Sequence, residues 1–506
     1  MTHSKKIFRN SAFAVINKIL MLILAFVLRK VFIMFLSEEL LGLNSLFADL
    51  LGLLNLADMG LAVAVQFNLY KPIAEKNHEK IARILNATKR IYNIIGIAIV
   101  VIGIILSFFI QFLIKDNPYD LNFLRIVFIM NVISSASSYF FVHNRIYMQA
   151  SENLHMIDKI DMGVNLAGTV LRIVTLALFR NYYLYVILAI VQAVVSNLLI
   201  SISTKRHHAF LKTIKGYTKD ETQPLFANIK ELIPNKISAY IFSNTDNTII
   251  SATLGLASVT YFTNYNSISL QLFSLAAMIS GVIRASFGNV LQEEHNPKLH
   301  MRFLQSYQLL QFFYSAFCGV TFFCLADEFI SLWYGAKYVA PLAFVIILTL
   351  DFYAHSMYQP LSMMLEVLGE FRALKRQEIF AMILNLTISI ALVFPFGIIG
   401  PILGTFAVDL CTTVFRIYTI LYKHYRSFMK DYIKRYALYT GLFIAEYIGL
   451  YLLCNLIPLP TSIVSLLVKC AICFLCTCPI NLLIFRKSEE FSYLKDRLLH
   501  LTKKEG

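Results

Sequence analysis

Long apolar runs, each able to cross a membrane as a helix, follow one another along almost the whole chain. A membrane-spanning helix needs about 20 apolar residues, whereas the strands of a membrane β-barrel are shorter and alternate with polar residues. Of the 506 residues, 58% are hydrophobic and 15% are charged. This composition excludes a soluble fold, a disordered chain and a small disulfide scaffold.

The runs predict an all-α integral membrane protein with about 14 transmembrane helices. About 36 residues for each pass, loops included, leaves room for roughly 14 passes. We predict spans near residues 10–36, 42–70, 84–114, 121–144, 157–179, 182–203, 229–254, 257–288, 301–326, 339–367, 376–395, 399–422, 434–455 and 463–485.

The charges of the connecting loops predict the orientation of the chain. Cytoplasmic loops of membrane proteins are rich in Lys and Arg, and basic clusters recur in every second loop, as at Lys205 to Lys219 and Lys423 to Arg435. The pattern predicts that both termini are cytoplasmic. It also accounts for the net charge of +15 by attraction to anionic lipids of the inner leaflet, so we expect no nucleic-acid partner.

The longest polar stretch falls near the middle of the sequence and suggests two lobes of six helices each. The pair Asn17-Lys18 in the first span recurs as Asn235-Lys236 in the seventh, and such internal repeats are common in secondary transporters. We therefore predict an N-terminal lobe at 1–203, a basic cytoplasmic linker at 204–228, a C-terminal lobe at 229–423, two further spans within 424–485 and a basic cytoplasmic tail at 486–506.

Charged residues inside the predicted spans indicate a polar cavity. Each costs about 2.5–3.5 kcal/mol to place in a bilayer, so such residues usually face a cavity or a partner. Many of these charged residues share a helix face with other polar residues, as expected for the lining of a cavity. Structural ion pairs between helices would also explain their positions. Arg125, Arg416 and Lys469 lie near helix ends and can extend to the membrane surface. The candidate substrate-binding cations are Lys18, Arg29, Arg172 and Arg284, and the candidate cavity carboxylates are Asp58, Asp161 and Asp246.

Signals for catalysis, metals and cofactors are weak. Cys470, Cys473, Cys476 and Cys478 lie on a single apolar helix and cannot surround an ion from one side, so we expect no metal site among them. The sequence has no P-loop, and the short predicted outside loops hold no catalytic constellation. These features predict a protein that is not an enzyme and has no cofactor.

Three segments carry a resemblance to a known family. They are LLGLNSLFADLLGLLNLADMGLAVAVQ at 40–66, DNTIISATLGLASVTY at 246–261, and Asn385-Leu386 followed by FGIIGPILGT at 396–405. In content and order they resemble helix 2, helices 7 and 8, and helices 11 and 12 of the polysaccharide-specific transporters. These are the Wzx-type oligosaccharide flippases, which belong to the MOP superfamily together with the MATE antiporters and the lipid II flippases.

The resemblance implies a V-shaped pair of lobes and alternating access, with possible coupling to Na⁺ or H⁺. The implied cargo is a polyprenyl-linked oligosaccharide for capsule, exopolysaccharide, O-antigen or teichoic acid, and the implied location is the bacterial plasma membrane. Implied partners are membrane lipids, a polysaccharide polymerase and glycosyltransferases. The positions that match family motifs are Asp58 with Gly60, Asp246, and Gly397 to Gly404.

The helix faces on which the charged residues lie suggest how such a cargo is bound. We expect Lys18, Arg29 and Arg172 to bind the anionic phosphate head, because Arg and Lys are the usual phosphate partners. Asp161 and Asp58 are expected to pair with these cations in the empty state, and Asp246 is a candidate for ion coupling. On a purely structural interpretation, Arg172 pairs with Asp161 and has no role in transport.

Three alternative functions remain open from the sequence. A lipid II flippase would differ mainly in its cargo. A MATE-type cation-coupled drug antiporter would be expected to have twelve spans and an acidic cavity. A membrane glycan polymerase or ligase would need a larger domain outside the membrane.

Overall fold

The protein is described by a computed structural model. The structure describes residues 20–55, 61–151, 153–214, 216–217, 238, 240–241, 244–293, 296–457 and 460–503. Helices account for nearly all of these residues, and no strand occurs among them. The chain folds as two compact units, Met1–Thr260 and Tyr261–Gly506. The predicted lobe boundaries stay a prediction, since much of 204–228 lies outside the described residues.

The first unit contains a series of mostly apolar helices. The helices are α1 at residues 20–35, α2 Glu38–Leu54, α3 Leu61–Ala74, α4 His78–Ser107, α5 Leu121–Tyr139, α6 Val142–Ala150, α7 Leu154–Phe179, α8 Tyr182–His207, α9 Phe210–Thr213, α10 Asp246–Leu254 and the first turn of α11 Leu256–Glu293.

The second unit contains the rest of α11 and seven further helices. These are α12 Pro297–Trp333, α13 Leu342–Val367, α14 Phe371–Phe396, α15 Ile399–Ile417, α16 Met429–Leu456, α17 Ile463–Phe485 and α18 Glu489–Lys503.

Polar side chains that cap the helix N-termini explain several helix boundaries. The Ser37 hydroxyl accepts a hydrogen bond from the Leu40 backbone N–H, and Asn77, Asp120 and Asn181 act in the same way at the starts of α4, α5 and α8. Short polar side chains satisfy backbone donors that a helix start leaves free. These residues therefore set where the long apolar helices begin.

Nine helices in the described part of the chain are long and apolar enough to cross a membrane. Their outer surfaces carry large exposed apolar side chains such as Leu178, Val414 and Leu467, which suit contact with lipid rather than water. The protein is thus an all-α, multi-pass membrane protein. The count of fourteen spans and the cytoplasmic placement of both termini stay predictions.

Aromatic and aliphatic side chains fill the interior of each unit. In the first unit, Phe47 packs edge-on against Phe128 with ring centroids 5.0 Å apart. In the second, Phe312 stacks on Tyr439 at 4.9 Å and also contacts Phe485. Such large buried rings supply much of the packing between helices within each unit.

One predicted span is interrupted in the structure. The segment 121–144 forms α5, which ends at Tyr139, and a separate helix α6, which begins at Val142. The Ser137 hydroxyl donates to the Ser134 carbonyl near the break, and serine side chains compete with the backbone for such carbonyls. The break changes the direction of the residues that follow, including Arg145.

Candidate functional site

A polar cavity of about 390 Å³ lies within the first unit. It is bordered by the end of α5, the start of α6, and the facing sides of α7 and α8. The lining residues are Ser138, Val142, Arg145, Asn165, Arg172, Ala189, Gln192, Ala193, Ser196 and Asn197.

An ion pair forms one wall of this cavity. The Arg145 guanidinium donates from Nη1 to Asp161 Oδ2 at 2.6 Å and from Nη2 to Asp161 Oδ1 at 3.1 Å. The Ser196 hydroxyl donates to the same Oδ1 at 2.5 Å. The two-pronged geometry holds Arg145 at a fixed angle. Asp161 therefore pairs with Arg145 and not with Arg172, the partner expected from the sequence.

Amide and hydroxyl groups form most of the remaining polar wall. Gln192 Nε2 donates to Asn165 Oδ1 at 2.7 Å, which joins α8 to α7. Asn197 Nδ2 donates to Ser138 Oγ at 3.1 Å, which joins α8 to α5. Oε1 of Gln192 has no hydrogen-bond partner among the described residues. This oxygen lies against Gly168 of α7, so the amide side chain packs closely between the two helices.

Arg172 lies at one side of the cavity against an aromatic ring. Its guanidinium carbon is 5.5 Å from the centroid of the Tyr185 ring, and its Nη2 is 3.5 Å from the Thr169 hydroxyl. The buried Nε makes no hydrogen bond to any described residue. Arg29 of α1 also interacts electrostatically with Tyr185. Arg29 and Arg172 therefore approach the same tyrosine from two different helices.

Further aromatic side chains pack around Tyr185, the ring that Arg29 and Arg172 approach. Phe32, one turn after Arg29, packs edge-on against Tyr182 and Tyr185, with centroids 5.9 and 5.0 Å away. A guanidinium above an aromatic face gains a favourable electrostatic contact and keeps its N–H donors at the ring edge. The arrangement places two cationic side chains around one aromatic ring.

A second polar cavity of about 500 Å³ shares part of its wall with the first. Ser138, Val142 and Ala193 line both. The second cavity adds Asn55, whose Oδ1 accepts a hydrogen bond from the Ser135 hydroxyl at 2.7 Å. Side chains of α2 and α5 thus extend the polar surface beyond the arginines.

Asp246 lies in a separate cluster with a carboxylate that the sequence analysis did not single out. Asp246 interacts electrostatically with Asp49 of α2, and its Oδ1 is buried without a partner among the described residues. Asn247 Nδ2 donates to Asp49 Oδ2 at 2.7 Å, and the Tyr240 hydroxyl donates to the Asp49 backbone carbonyl at 2.9 Å. Two acidic side chains thus share one half-buried polar site.

The second unit has a polar cluster of its own, where two predicted polar helix faces meet. His355 Nδ1 lies 3.1 Å from Asp409 Oδ2, and the Tyr358 hydroxyl lies 3.2 Å from His355 Nε2. The Arg416 guanidinium lies 4.1 Å from the centroid of the Tyr358 ring. Arg416 is 6% exposed, so the expectation that it extends to the membrane surface is wrong.

The structure describes the surroundings of some predicted site residues and not of others. Arg29 and Arg172 share Tyr185, Asp161 pairs with Arg145, and Asp246 lies near Asp49. Lys18 and Asp58 lie outside the described residues, as does Lys236. Arg284 belongs to α11, and its side chain is not described.

Arg145 and Asp49 are the functional candidates that sequence reasoning missed. Arg145 lies just beyond the predicted span 121–144, so it was not among the charged residues inside the spans. Asp49 lies within the predicted span 42–70, as Asp58 does, so it could have been counted among the charged residues inside the spans.

Comparison with known proteins identifies the fold. The sequence matches no protein-family model and no curated protein at a significant level. Among solved structures, the lipid II flippase MurJ in an inward closed conformation aligns with a TM-score of 0.72 at 14% identity, over 93% of this chain and 98% of that one. This chain has the fold of a MurJ-like membrane transporter.

MATE transporters align over a smaller share of this chain. An inward-facing multidrug resistance MATE transporter of the MOP superfamily gives a TM-score of 0.60 at 15% identity, over 75% of this chain and 90% of that one. The eukaryotic MATE transporter AtDTX14 gives 0.51 at 14% identity, over 83% and 95%. The neighbours are thus transporters and flippases, and the predicted fold class is confirmed.

Proposed function

We propose that this protein is a flippase for a lipid-linked oligosaccharide. Its cargo is a polyprenyl phosphate or pyrophosphate that carries a glycan, and it moves the cargo from the cytoplasmic to the outer leaflet of a bacterial plasma membrane by alternating access. It acts with glycosyltransferases that build the glycan and with a polymerase that consumes it, in the synthesis of a cell-surface polysaccharide.

The observation that carries this proposal is the cationic cavity of the first unit. Arg145 and Arg172 line it, Arg29 approaches Tyr185 beside it, and Asp161 is the carboxylate bound to its wall. The positive charges outnumber the negative ones, and in the described part of the chain only Arg145 among these arginines is bound to Asp161. Guanidinium groups bind phosphate oxygens through paired hydrogen bonds, so an anionic lipid head suits this site.

The rest of the cavity wall suits a sugar. The wall carries the amide and hydroxyl groups of Asn165, Gln192, Ser138 and Asn197, which are the kinds of group that hydrogen-bond to sugars. Crossing about 30 Å of hydrocarbon without such partners would leave every sugar hydroxyl unsatisfied. A polar cavity supplies those partners while the polyprenyl tail stays in lipid.

Asp246 and Asp49 are our candidates for coupling transport to H⁺ or Na⁺. Two buried carboxylates repel each other, and one proton or monovalent cation between them relieves that repulsion. Replacing Asp246 with Asn should therefore leave cargo binding intact and remove the dependence of flipping on an imposed ion gradient. Flipping by Asp246→Asn that still follows the gradient would remove Asp246 from the coupling role.

The lipid II flippase and the drug antiporter are the main alternatives. A lipid II flippase would use the same phosphate-binding arginines, so the cargo distinguishes it. A cationic drug is disfavoured by Arg145 and Arg172 in the cavity. Complementation of strains that lack flippases of defined cargo separates these functions.

The experiment that tests the proposal measures flipping in proteoliposomes. Arg172→Gln should lower flipping of a polyprenyl-pyrophosphate-linked oligosaccharide about 10- to 150-fold, because a lost charge-assisted contact is worth roughly 1.5–3 kcal/mol. Arg172→Lys should keep part of the activity, since the charge remains while the forked geometry is lost. The matched control is Arg180→Gln, an exposed arginine at the end of the same helix.

Two results would count against the proposal. One is normal flipping by Arg172→Gln at an unchanged protein level. The other is an equal loss in Arg172→Gln and Arg180→Gln, which would reflect a general effect on the helix.

A further inference from the structure

Three cysteines from three different helices meet inside the second unit. Cys324 comes from α12, Cys454 from the end of α16 and Cys473 from the middle of α17. Their Sγ atoms all lie within 4.8 Å of one another. Cys454 is 3% exposed and Cys473 is 0% exposed, whereas Cys324 is half-buried.

A buried ion pair sets the register of two of these helices. Lys469 Nζ lies 2.7 Å from Glu328 Oε2, and the two side chains are 14% and 10% exposed. Glu328 is one turn after Cys324 on α12, and Lys469 is one turn before Cys473 on α17. Because residues four apart share a helix face, the ion pair brings the two thiols to the same level.

Aromatic packing places the third helix. Phe323, the neighbour of Cys324 in sequence, stacks on Tyr447 of α16 with ring centroids 3.9 Å apart, and Tyr451 lies 4.9 Å away. These contacts hold α16 against α12 within two turns of Cys454. The convergence of the three thiols is therefore supported by side chains on every side of the cluster.

The geometry is close to that of a three-sulfur metal site. Three metal–sulfur bonds of about 2.3 Å in one plane place the sulfurs about 4 Å apart, slightly closer than the limit seen here. A single helix presents its cysteines on one side of an ion, whereas three helices can surround it. Within the described residues, no fourth His, Cys, Asp or Glu joins this cluster.

We propose that Cys324, Cys454 and Cys473 bind one thiophilic metal ion, of the class of Cu(I) or Zn²⁺. Soft thiolate ligands select these ions over Mg²⁺ or Ca²⁺. Binding replaces S–H protons by metal–sulfur bonds and releases the protons to solvent, and no redox step is involved. The positive charge of Lys469, which lies near Cys454, offsets part of the negative charge of the thiolates.

The site would be structural and independent of the cargo. It ties α12, α16 and α17 together within the second unit. The sequence analysis considered the cysteines of α17 alone and expected no metal there. Two of the three ligands come from other helices.

The test is metal binding by the full-length protein, purified in detergent under reducing, anaerobic conditions. Cu(I) and Zn²⁺ are titrated separately, with metal content measured by elemental analysis and thiolate bonding by charge-transfer absorption. We expect one ion for each chain. Cys324→Ser, Cys454→Ser and Cys473→Ser should each weaken binding by more than about 100-fold, because loss of a direct ligand exceeds the 10- to 100-fold cost of losing an outer partner.

Cys476→Ser is the matched control, since Cys476 lies on the same helix one turn beyond Cys473 and outside the cluster. It should bind the ion as the unmodified protein does. The proposal is overturned if no ion binds, or if the three variants bind as tightly as the control. A Cys324–Cys473 disulfide found by peptide mapping of freshly purified, metal-free protein would also overturn it.

Discussion

Asp161 holds two neighbours at once, since it accepts both N–H groups of Arg145 and the hydroxyl of Ser196. The side chains of Arg145 and Asp161 are 29% and 27% exposed. Solvent therefore screens the attraction between their charges less than in a surface ion pair and more than in a fully buried one. At the scale of single residues, this network fixes the wall of the cavity and pairs Asp161 with Arg145 rather than Arg172.

We predict that Asp161→Ala lowers the free energy of unfolding by about 1–3 kcal/mol, because Arg145 loses its hydrogen-bonded charge partner. Adding Arg145→Gln should recover part of the loss, since the unpaired charge is then removed. Adding Arg172→Gln should recover none. Thermal unfolding of the four proteins in one detergent measures these differences, and recovery by Arg172→Gln instead would mean that Asp161 pairs with Arg172.

The helices α14 and α15 illustrate how glycines control the approach of neighbouring elements. Gly397 ends α14 with φ 57° and ψ −133°, a conformation that favours glycine. A Cβ atom added at Gly400 would overlap the backbone carbonyl of Leu392, and one added at Gly404 would overlap the Ser389 hydroxyl. The close approach also lets Asn385 Nδ2 donate to the Thr405 hydroxyl at 2.9 Å. The segment Gly397 to Gly404, noticed first as a family resemblance, therefore has a packing role.

We predict that Gly400→Ala destabilises the protein by about 1–3 kcal/mol, because the new methyl group forces the two backbones apart. The control is Gly449→Ala on α16, where a Cβ atom would meet nothing within 4 Å. That change should be neutral or stabilising by up to about 1 kcal/mol, since alanine favours helix more than glycine does. Equal apparent melting temperatures for both variants would contradict the close packing of α14 and α15.

At the scale of the whole molecule, the alternation of basic and uncharged loops is the basis for the predicted topology. His78 and Arg426 lie at exposed positions beside the predicted cytoplasmic ends of helices. Ala336 lies at an exposed position in the turn after α12, and nearby Tyr334 is buried. These three positions can therefore report the side of the membrane without disturbing the core.

We predict that a membrane-impermeant thiol reagent applied to intact cells labels Ala336→Cys and leaves His78→Cys and Arg426→Cys unlabelled. The background has all eight natural cysteines replaced, including the exposed Cys411. All three single-cysteine variants should be labelled after the cells are opened, which controls for reactivity. Labelling of His78→Cys in intact cells would overturn the predicted orientation of the first unit.

The class of fold and many helix limits follow from the sequence alone. Length of apolar run, helical spacing and capping side chains are local properties, so they can be determined without knowledge of neighbouring helices. The predicted span 463–485 coincides with α17, Ile463–Phe485. Polar residues that share one helix face, such as Asp409 and Arg416 on α15, are likewise evident from their spacing of seven residues.

The partners of these residues were decided only by the tertiary structure. Arg145 reaches Asp161 because the chain turns between α5 and α6, and three distant cysteines meet because α12, α16 and α17 pack at one register. Each such contact depends on the rotation and depth of two or more helices, which are set by the packing of the whole unit. The sequence determined that charged and thiol groups lie within apolar helices, and only the packing decided which of them meet.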